Sequence, residues 1–271
     1  IDTIFVSSAF EYIFEKKWDY DIGINNFYSS IHPDDLSHLK SSFKKLIETG
    51  STFHIEYRII KPDNSIKWIS SKAFPIINID NKVIRIVGLA EDITPHKQLQ
   101  NSLYKMATTD YLTGCYNRQY FLKTADDFID HAIFTKDVVS LLMIDIDNFK
   151  EVNYTYGHSI GDQILQELVK TCTNLLGEKD LFGRIGGEEF AIILTGYNKD
   201  DAFIIAENIR KEVENLTLEI EGYTIKITIS IGISVFSNTV CDSNYISDLL
   251  NCADKALYQA KNSGNNKTVF Y

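Results

Sequence analysis

The sequence predicts an α+β protein built from two domains. Its 271 residues fit about two domains of ordinary size, and its 44% hydrophobic and 24% charged residues are typical of globular proteins. The first half alternates helical segments with three strand-length segments that are separated by turn signals. The second half combines a buried strand pattern with amphipathic helices. Both halves therefore favour helices packed against sheets.

The first domain is predicted over residues 1–93. Pro33, with Asp34 and Asp35 behind it, opens a helix that ends at Gly50, because proline and acidic residues favour the first turn of a helix. The predicted elements are a strand over 3–6, helices over 7–14 and 33–50, and strands over 53–61, 66–77 and 83–93.

A linker helix is predicted over 94–108, before a second domain over 109–271. Leu99, Leu103 and Met106 recur at steps of four and three residues, which suits a short parallel coiled coil. The same stripe also fits packing against its own domain. Pairing between two chains and packing within one chain therefore both remain open.

The segment Gly186-Gly187-Glu188-Glu189-Phe190 is the most informative in the second domain. Strand-forming residues flank it over 181–185 and 190–194, and the two glycines permit the backbone angles of a hairpin turn. Adjacent carboxylates repel each other, so a divalent cation is a natural partner for them. An acidic turn on a solvated surface is the alternative interpretation.

A second acidic element follows the apolar run over 138–144, which predicts a strand covered on both faces. This run ends in Asp145-Ile146-Asp147-Asn148-Phe149-Lys150. Carboxylates at the end of a strand, followed by a lysine, suit a magnesium-bound polyphosphate. The alternative is an acidic loop that only caps the strand.

Two amphipathic helices and one long strand complete the second domain. Residues 223–236 alternate as a single long strand would. The apolar faces of the two helices consist of Ile204, Ile205, Ile209 and Val213 in one, and of Leu249, Leu250, Ala253, Leu257 and Ala260 in the other.

Six ordered segments of the second half resemble the GGDEF family, the diguanylate cyclases. This resemblance implies a central, mainly antiparallel sheet surrounded by helices, similar to nucleotide cyclases and polymerase palms. The matching segments are Thr109-Asp110-Tyr111-Leu112-Thr113-Gly114-Cys115-Tyr116-Asn117-Arg118, Asp145-Ile146-Asp147-Asn148-Phe149-Lys150-Glu151-Val152-Asn153, Tyr156-Gly157-His158-Ser159-Ile160-Gly161-Asp162, Arg184-Ile185-Gly186-Gly187-Glu188-Glu189-Phe190, Ser230-Ile231-Gly232-Ile233-Ser234 and Ala253-Asp254-Lys255-Ala256-Leu257-Tyr258-Gln259-Ala260-Lys261.

The resemblance implies that Asp145, Glu188 and Glu189 are catalytic. Asp145, Glu188 and the carbonyl of Ile146 would bind Mg²⁺, two ions per active site, with Mn²⁺ as an alternative ion. Glu189 either holds the second ion or activates the attacking 3′-hydroxyl, and we favour the second role. The implied reaction joins two GTP molecules into cyclic di-GMP and releases two pyrophosphates. It requires a homodimer, because each site holds one GTP.

Guanine recognition is implied for Asn153 and Asp162. A carboxylate accepts hydrogen bonds from guanine N1–H and N2–H₂, whereas adenine has no such pair of donors, so Asp162 favours GTP. Asp162 also fits an acidic residue in the first turn of a helix that Gly161-Asp162 opens. His158 contacts the nucleotide or hydrogen-bonds the turn. The remaining implied roles are Leu112 and Phe149 as the apolar wall of the base pocket, and Lys150 and Lys261 as partners of the triphosphate.

Two positions depart from the family pattern. Gly177 stands where many members have an arginine that binds inhibitory product, and glycine supplies no bidentate phosphate contact. We therefore expect no product-inhibition site there. Asn265 stands where a phosphate-contacting arginine is usual, and Lys267 compensates in part. Two functions stay open: an active cyclase, or an impaired GGDEF domain that regulates by binding GTP or a protein.

The first half resembles a PAS sensor domain. Such a domain has an antiparallel sheet with flanking helices, and we expect an earlier strand to precede this chain. The cysteine-bearing flavin motif is absent, so the PAS ligand is unassigned and a purely structural or dimerising domain fits equally well. The matching segments are Ile31-His32-Pro33-Asp34-Asp35-Leu36, Glu56-Tyr57-Arg58-Ile59, Ile66-Lys67-Trp68-Ile69 and Gly88-Leu89-Ala90-Glu91-Asp92-Ile93-Thr94.

Composition argues against several other classes of protein. The net charge of −10 argues against a general nucleic-acid binder. The apolar runs are shorter than the roughly 20 residues that span a bilayer. The chain begins at Ile1 without a signal pattern, so we expect the cytoplasmic part of a longer protein. Free cytoplasmic thiols are expected, without disulfide or metal-ligand spacing, at Cys115, Cys172, Cys241 and Cys252.

Overall fold

The computed structural model describes residues 5–17, 24–236 and 245–271. The chain divides into two compact units, Ile1–Leu103 and Tyr104–Tyr271. Two of the sequence predictions fall on residues outside the described ranges, namely Cys241 and the first half of the strand over 3–6. The described residues of that strand belong to no helix or strand, so the prediction is wrong for them. None of the described helices combines the length and apolar character needed to cross a membrane.

The first unit holds an antiparallel three-stranded sheet with strand order β1-β2-β3. Helix α3 begins at Pro33 and ends at Thr49, and the next residue, Gly50, caps it with a φ of 67° that suits glycine. The helix and the three strands confirm the sequence prediction. The elements are α1 (Ser8–Phe14), α2 (Ile24–Tyr28), α3 (Pro33–Thr49), β1 (Phe53–Ile60), β2 (Ile66–Ile77) and β3 (Val83–Asp92).

An ion pair joins the start of α3 to β1. The Arg58 guanidinium donates to both carboxylate oxygens of Asp35, at 2.7 and 2.9 Å, and the Arg58 amide donates to the same carboxylate at 2.8 Å. These hydrogen bonds lower the pKa of Asp35. Both residues belong to the segments that resemble a PAS domain, so the resemblance includes a structural contact.

Helix α4 spans Thr94–Thr108. Near its start, the Lys97 amine pairs with Glu56 at 2.7 Å and lies 5.2 Å from the centre of the Trp68 ring. The apolar stripe of the helix is exposed, at 58% for Leu99, 57% for Leu103 and 77% for Met106. The stripe is therefore free of close packing against the described part of its own chain, and its pairing with a second chain stays a prediction.

The second unit is organised around a six-stranded sheet with strand order β11-β10-β5-β7-β6-β4. The central pairs are antiparallel, and only the outer pairs β10–β11 and β4–β6 are parallel, which confirms the predicted sheet. Its elements are β4 (Tyr116–Asn117), α5 (Arg118–Thr135), β5 (Val139–Ile146), α6 (Phe149–Tyr156), α7 (His158–Leu175), β6 (Leu181–Arg184), β7 (Glu189–Thr195), α8 (Lys199–Asn215), β8 (Leu218–Ile220), β9 (Tyr223–Ile225), β10 (Ile229–Phe236), α9 (Tyr245–Asn262) and β11 (Thr268–Phe270).

Strand β5 lies at the centre of this unit, and each of its eight residues is buried. Leu142 and Ile144 belong to one apolar cluster, together with residues of α7 and α8. Leu141 and Met143 belong to another, together with residues of α5 and α9. Alternate side chains of a strand point to opposite faces, so β5 supplies both cores. Packing on both faces fixes the position of Asp145 near its end.

Three details of the sequence prediction for the second unit are wrong. Residues 223–236 form two strands, because β9 pairs with β8 in a separate ribbon whereas β10 joins the central sheet. The second error concerns α8, because Ile204, which was predicted to lie on its apolar face, is 56% exposed. The buried face of α8 consists of Ala202, Ala206, Ile209 and Val213, because the small alanines allow close packing on the sheet.

The third correction concerns the start of α7. The helix begins at His158, after Gly157 with φ of 87° separates it from α6. Gly161-Asp162 therefore does not open the helix. Asp162 lies beyond the first turn, where a helix dipole has less effect on a carboxylate.

Candidate functional site

The acidic turn joins β6 to β7 and is closed by backbone hydrogen bonds. The amides of Ile185 and Gly186 both donate to the carbonyl of Glu189, at 2.8 and 3.2 Å. A Cβ atom at Gly186 would collide with Oε2 of Glu189, whereas one at Gly187 would meet no atom within 4 Å. The first glycine therefore leaves the space that the Glu189 carboxylate occupies.

Arg184 fixes the other side of this turn. Its guanidinium donates to the carbonyl of Gly187 at 2.7 and 3.0 Å and to the carbonyl of Gly186 at 3.2 Å. A further guanidinium nitrogen lies 2.9 Å from Oδ1 of Asp110, which also accepts hydrogen bonds from the amide and hydroxyl of Thr113. Burial raises the pKa of Asp110, but the hydrogen bonds from Thr113 and Arg184 outweigh it and lower this pKa.

Sequence reasoning assigned no role to Asp110 or Arg184, although both lie inside segments that match the family. Their positions in the motifs were a usable signal. The contact between them could not be predicted from the sequence, because 74 positions separate the two residues along the chain. The structure shows that the pair connects the acidic turn to the segment that follows α4.

Asp145 lies directly opposite Glu189 in the register of β5 and β7. This residue is only 4% exposed, and its Oδ2 lies 2.7 Å from the Lys261 amine. Burial raises the pKa of Asp145, Lys261 lowers it in part, and the charges of Glu188 and Glu189 raise it further. Three carboxylates and one ammonium group therefore share this site, which leaves an excess of negative charge.

The donor set fits a magnesium ion that binds together with phosphate. Within the described residues, no three His, Cys, Asp or Glu side chains are arranged to hold a metal by themselves. The predicted ligands are two carboxylates, Asp145 and Glu188, and the carbonyl of Ile146, which ends β5 next to Asp145. Magnesium takes few protein carboxylates and completes its octahedron with water and phosphate oxygens. A site of this kind does not need three protein side chains.

Helices α6 and α7 bring together residues predicted to hold the base. A Cβ atom at Gly161 would collide with Oδ1 of Asn153 and would lie 3.3 Å from the Phe149 ring. Leu112 packs against the apolar cluster that contains Phe149, and its carbonyl accepts a hydrogen bond of 2.9 Å from Gln166. Gly161 therefore lies against Asn153 and Phe149, two of the residues predicted to hold the base, and the sequence predicts no such contact for it.

Three predicted ligand contacts are solvent-exposed. Lys150 lies in the first turn of α6, His158 begins α7, and Asp162 follows Gly161 on α7. Their side chains are accessible to a bound molecule. The structure thus places Asp145, with the acidic turn, at the end of β5. Three of the predicted base-binding residues, Phe149, Asn153 and Asp162, lie on the two helices that follow β5.

A second buried carboxylate stabilises the neighbouring loop. Asp147 is 7% exposed and accepts hydrogen bonds of 2.7 Å from Thr228 and Ser230 and of 2.9 Å from the amide of Asn266. Arg210 donates to the Asn266 side chain at 2.7 Å. These contacts attach residues 264–267 to the end of β5. The sequence places Asp147 among the strand-end carboxylates that suit a magnesium-bound polyphosphate, but it does not predict this structural role.

The loop over 264–267 also contains the second departure from the family pattern. Asn265 adopts a φ of 57° and its amide donates to the carbonyl of Lys261 at 3.4 Å. The Lys267 amine donates to the carbonyl of Ser263. The loop is thus folded back on the end of α9.

Comparison with known families identifies both units. The family described as "Diguanylate cyclase, GGDEF domain" matches residues 107–267. The chain belongs to the GGDEF family. A PAS fold matches residues 3–90, so this member of the GGDEF family carries a PAS domain ahead of its GGDEF domain.

Two relatives of this GGDEF protein match most of its length. A diguanylate cyclase of Vibrio cholerae is 32% identical over 243 residues, which cover 89% of this chain and 74% of that protein. Diguanylate cyclase A of Treponema denticola is 30% identical over 294 aligned positions, which cover 99% of this chain and 76% of that protein.

Solved structures agree with the fold of the second unit. The diguanylate cyclase SiaD of Pseudomonas aeruginosa, in complex with its activator SiaC, is 33% identical with a TM-score of 0.59 and covers 65% of this chain and 66% of its own. The coiled coil and GGDEF domain of DgcB from Caulobacter crescentus, in complex with c-di-GMP, is 27% identical with a TM-score of 0.61 and covers 66% of this chain and 93% of its own.

Proposed function

We propose that this protein is an active diguanylate cyclase of the GGEEF variant, which condenses two GTP molecules into cyclic di-GMP and two pyrophosphates. One observation carries the proposal. The buried carboxylate of Asp145 lies opposite Glu189 in the sheet, and burial, together with the nearby charges of Glu188 and Glu189, raises its pKa. The relatives named as diguanylate cyclases support the same reaction.

Each member of the acidic site then has a separate task. Asp145, Glu188 and the carbonyl of Ile146 hold Mg²⁺, two ions per site, with Mn²⁺ as an alternative. When bound there, the ions would supply Lewis-acid chemistry at the α-phosphate and at the attacking 3′-hydroxyl. Glu189 accepts the proton of that hydroxyl as a general base. Because Gly186 has no side chain, the carboxylate of Glu189 has room to reach the reacting atoms.

The pocket between α6 and α7 selects the base. Asn153 and Asp162 meet the polar edge of guanine, and Asp162 accepts from the two adjacent donors that adenine lacks. Phe149 and Leu112 form the apolar wall. The exposed side chains that complete nucleotide binding are Lys150 and His158, together with Lys261 from α9.

Catalysis requires two GGDEF domains that face each other, because each site holds one GTP and each 3′-hydroxyl attacks the other nucleotide. The exposed stripe of Leu99, Leu103 and Met106 on α4 supports pairing of this helix in a parallel coiled coil. The PAS domain would then control the relative position of the two sites. Leu103→Glu should abolish the dimer and the activity together. Activity of a proven Leu103→Glu monomer would refute this requirement.

We also propose that product does not inhibit through the site known in the family. The Gly177 amide donates to Asp180 at 2.8 Å, and glycine has no side chain to bind a phosphate. Added cyclic di-GMP should leave the initial rate unchanged in the parent, whereas Gly177→Arg should create inhibition. Inhibition of the parent that persists in Asp180→Ala would place a product site elsewhere, and inhibition lost in Asp180→Ala would contradict the proposal.

The function is tested by incubating the purified chain with GTP and magnesium and separating the products by chromatography. Cyclic di-GMP from the parent, and none from Glu189→Gln, supports the cyclase. Asn265, in place of a phosphate-contacting arginine, favours a second candidate, a GTP-binding or protein-binding regulator without turnover. GTP binding without product, at high protein concentration, would select that second candidate.

A further inference from the structure

Lys261 forms an ion pair with the carboxylate that is proposed to bind the metal. Its amine lies 2.7 Å from Oδ2 of Asp145, and Asp145 is almost fully buried. An ammonium group at this distance occupies one of the two oxygens through which Asp145 could bind a metal ion, and its positive charge repels a second cation. The lysine and a metal ion therefore compete for Asp145.

The backbone of α9 is fixed, but the end of the Lys261 side chain can move. A Cβ atom at Gly232 would collide with the backbone of Ala253 and Leu257, so β10 and α9 pack at the closest approach that glycine permits. The Lys261 side chain leaves this packed helix in its last turn and is 38% exposed. Four methylene groups separate the amine from the fixed backbone, so the amine can leave Asp145 without any movement of the helix.

We infer that Lys261 is an exchangeable counter-ion of Asp145, so that a nucleoside triphosphate opens the metal site by drawing the lysine to its phosphates. This inference rests on the proposed function, which makes Asp145 a metal ligand. The inference also predicts how the ligands bind relative to each other. The free protein holds a divalent cation weakly, and nucleotide and metal bind cooperatively.

Electrostatics explains why the site needs a resident cation. Without Lys261, the buried Asp145 carboxylate would face the charges of Glu188 and Glu189 with no counter-ion, and an unpaired buried charge is strongly destabilising. A free magnesium ion must both displace the ammonium group and lose water, which it does reluctantly. A triphosphate offers anionic oxygens to the lysine and carries its own magnesium. By reciprocity, metal and nucleotide then strengthen each other's binding.

The inference is tested by titrating Mn²⁺ into the whole chain without nucleotide and following free Mn²⁺ by electron paramagnetic resonance. Lys261→Met should bind Mn²⁺ at least tenfold more tightly than the parent, because Asp145 is no longer paired. Lys150→Met is the matched control, since it removes the same charge from a lysine that is also proposed to bind the triphosphate. It should stay within about twofold of the parent. Lys261→Gln gives a second variant if Lys261→Met does not fold.

Two results would overturn the inference. Equal Mn²⁺ affinity of the parent and both Lys261 variants would show that the lysine does not compete with the ion. An equal gain in Lys150→Met would show that only net charge matters. A failure of the proposed function is distinguishable, because the nucleotide-free titration needs no turnover. The double variant Asp145→Asn/Lys261→Met separates the two. If it still binds Mn²⁺ as tightly as Lys261→Met alone, Asp145 is not the ligand and the metal assignment itself is wrong.

Discussion

The end of β5 holds two buried carboxylates whose surroundings differ sharply. Asp147 accepts three hydrogen bonds, from Thr228, Ser230 and the amide of Asn266. Asp145 has an ion pair with the partly exposed Lys261, and burial, together with the charges of Glu188 and Glu189, opposes its ionisation. Burial alone does not separate the carboxylate that is proposed to be catalytic from the structural one. The difference lies in whether the protein itself satisfies the charge, because an incompletely satisfied carboxylate can take a metal ion.

The largest effect expected from this comparison is on activity. Asp145→Asn should lower cyclase activity at least about a thousandfold while changing the midpoint of thermal unfolding little, because it removes the proposed metal ligand and relieves repulsion between carboxylates. Asp147→Asn should instead lower the free energy of unfolding by about 2–3 kcal/mol, because hydrogen bonds to a charged group are lost. Product formation and urea denaturation measure the two effects. The reverse pattern, with Asp147→Asn folded but inactive and Asp145→Asn unstable, would exchange the two roles.

A smaller effect is expected when Glu189 is displaced but kept. Gly186→Ala places a methyl group where the Glu189 carboxylate lies, so kcat should fall about 10- to 100-fold with little change in KM. Gly187→Ala is the matched control, because its new methyl group meets no atom within 4 Å. Steady-state kinetics of both variants gives the comparison. Equal losses in the two variants would mean that the turn, and not the position of Glu189, limits the rate.

A substitution in the proposed base pocket should change KM for GTP. Gly161→Ala forces the Asn153 amide away from its position beside α7, so KM for GTP should rise about 10-fold, the loss expected for one or two hydrogen bonds. Ser159→Ala, on an exposed position of the same helix, should leave KM unchanged. Initial rates over a range of GTP concentrations measure both variants. An unchanged KM in Gly161→Ala would remove Asn153 from the proposed base contacts.

The smallest effect concerns the contact between Asp110 and Arg184, and it should depend on pH. Asp110→Asn should lower the free energy of unfolding at pH 7 by about 1–2 kcal/mol. The pKa of Asp110 is lowered in the folded state, so its contribution is full above the ordinary aspartate pKa of about 4 and is lost as the pH falls through the folded value. Urea denaturation of the parent and Asp110→Asn at pH 7, 4 and 3 should show that the difference in their free energies of unfolding becomes smaller in acid. A difference that stays constant over this pH range would mean that the charge of Asp110 contributes nothing to stability.

The sequence predicts elements better than contacts between them. The hairpin around the acidic turn and the buried strand β5 follow from local patterns, and the structure confirms both. The contact between Asp147 and Asn266 joins residues 119 positions apart, and no local pattern encodes it. The break between β9 and β10 was also hidden, because alternation shows which side chains are buried but not which strand supplies the hydrogen bonds.

The family motifs were sufficient to name the acidic residues, but not the groups that position them. Gly161 and Gly186 look like ordinary turn or helix residues in the sequence. Only the structure shows that a methyl group at either position would strike Asn153 or Glu189. Such close approaches depend on how helices and strands pack, so they follow from the fold and not from residue type.

The most direct test is to incubate the parent and Asp145→Asn side by side with GTP and magnesium and to separate the products by chromatography. The proposed site predicts cyclic di-GMP from the parent and none from Asp145→Asn, with both proteins folded. Cyclic di-GMP in equal amounts from both would contradict the assignment of the incompletely satisfied carboxylate to catalysis.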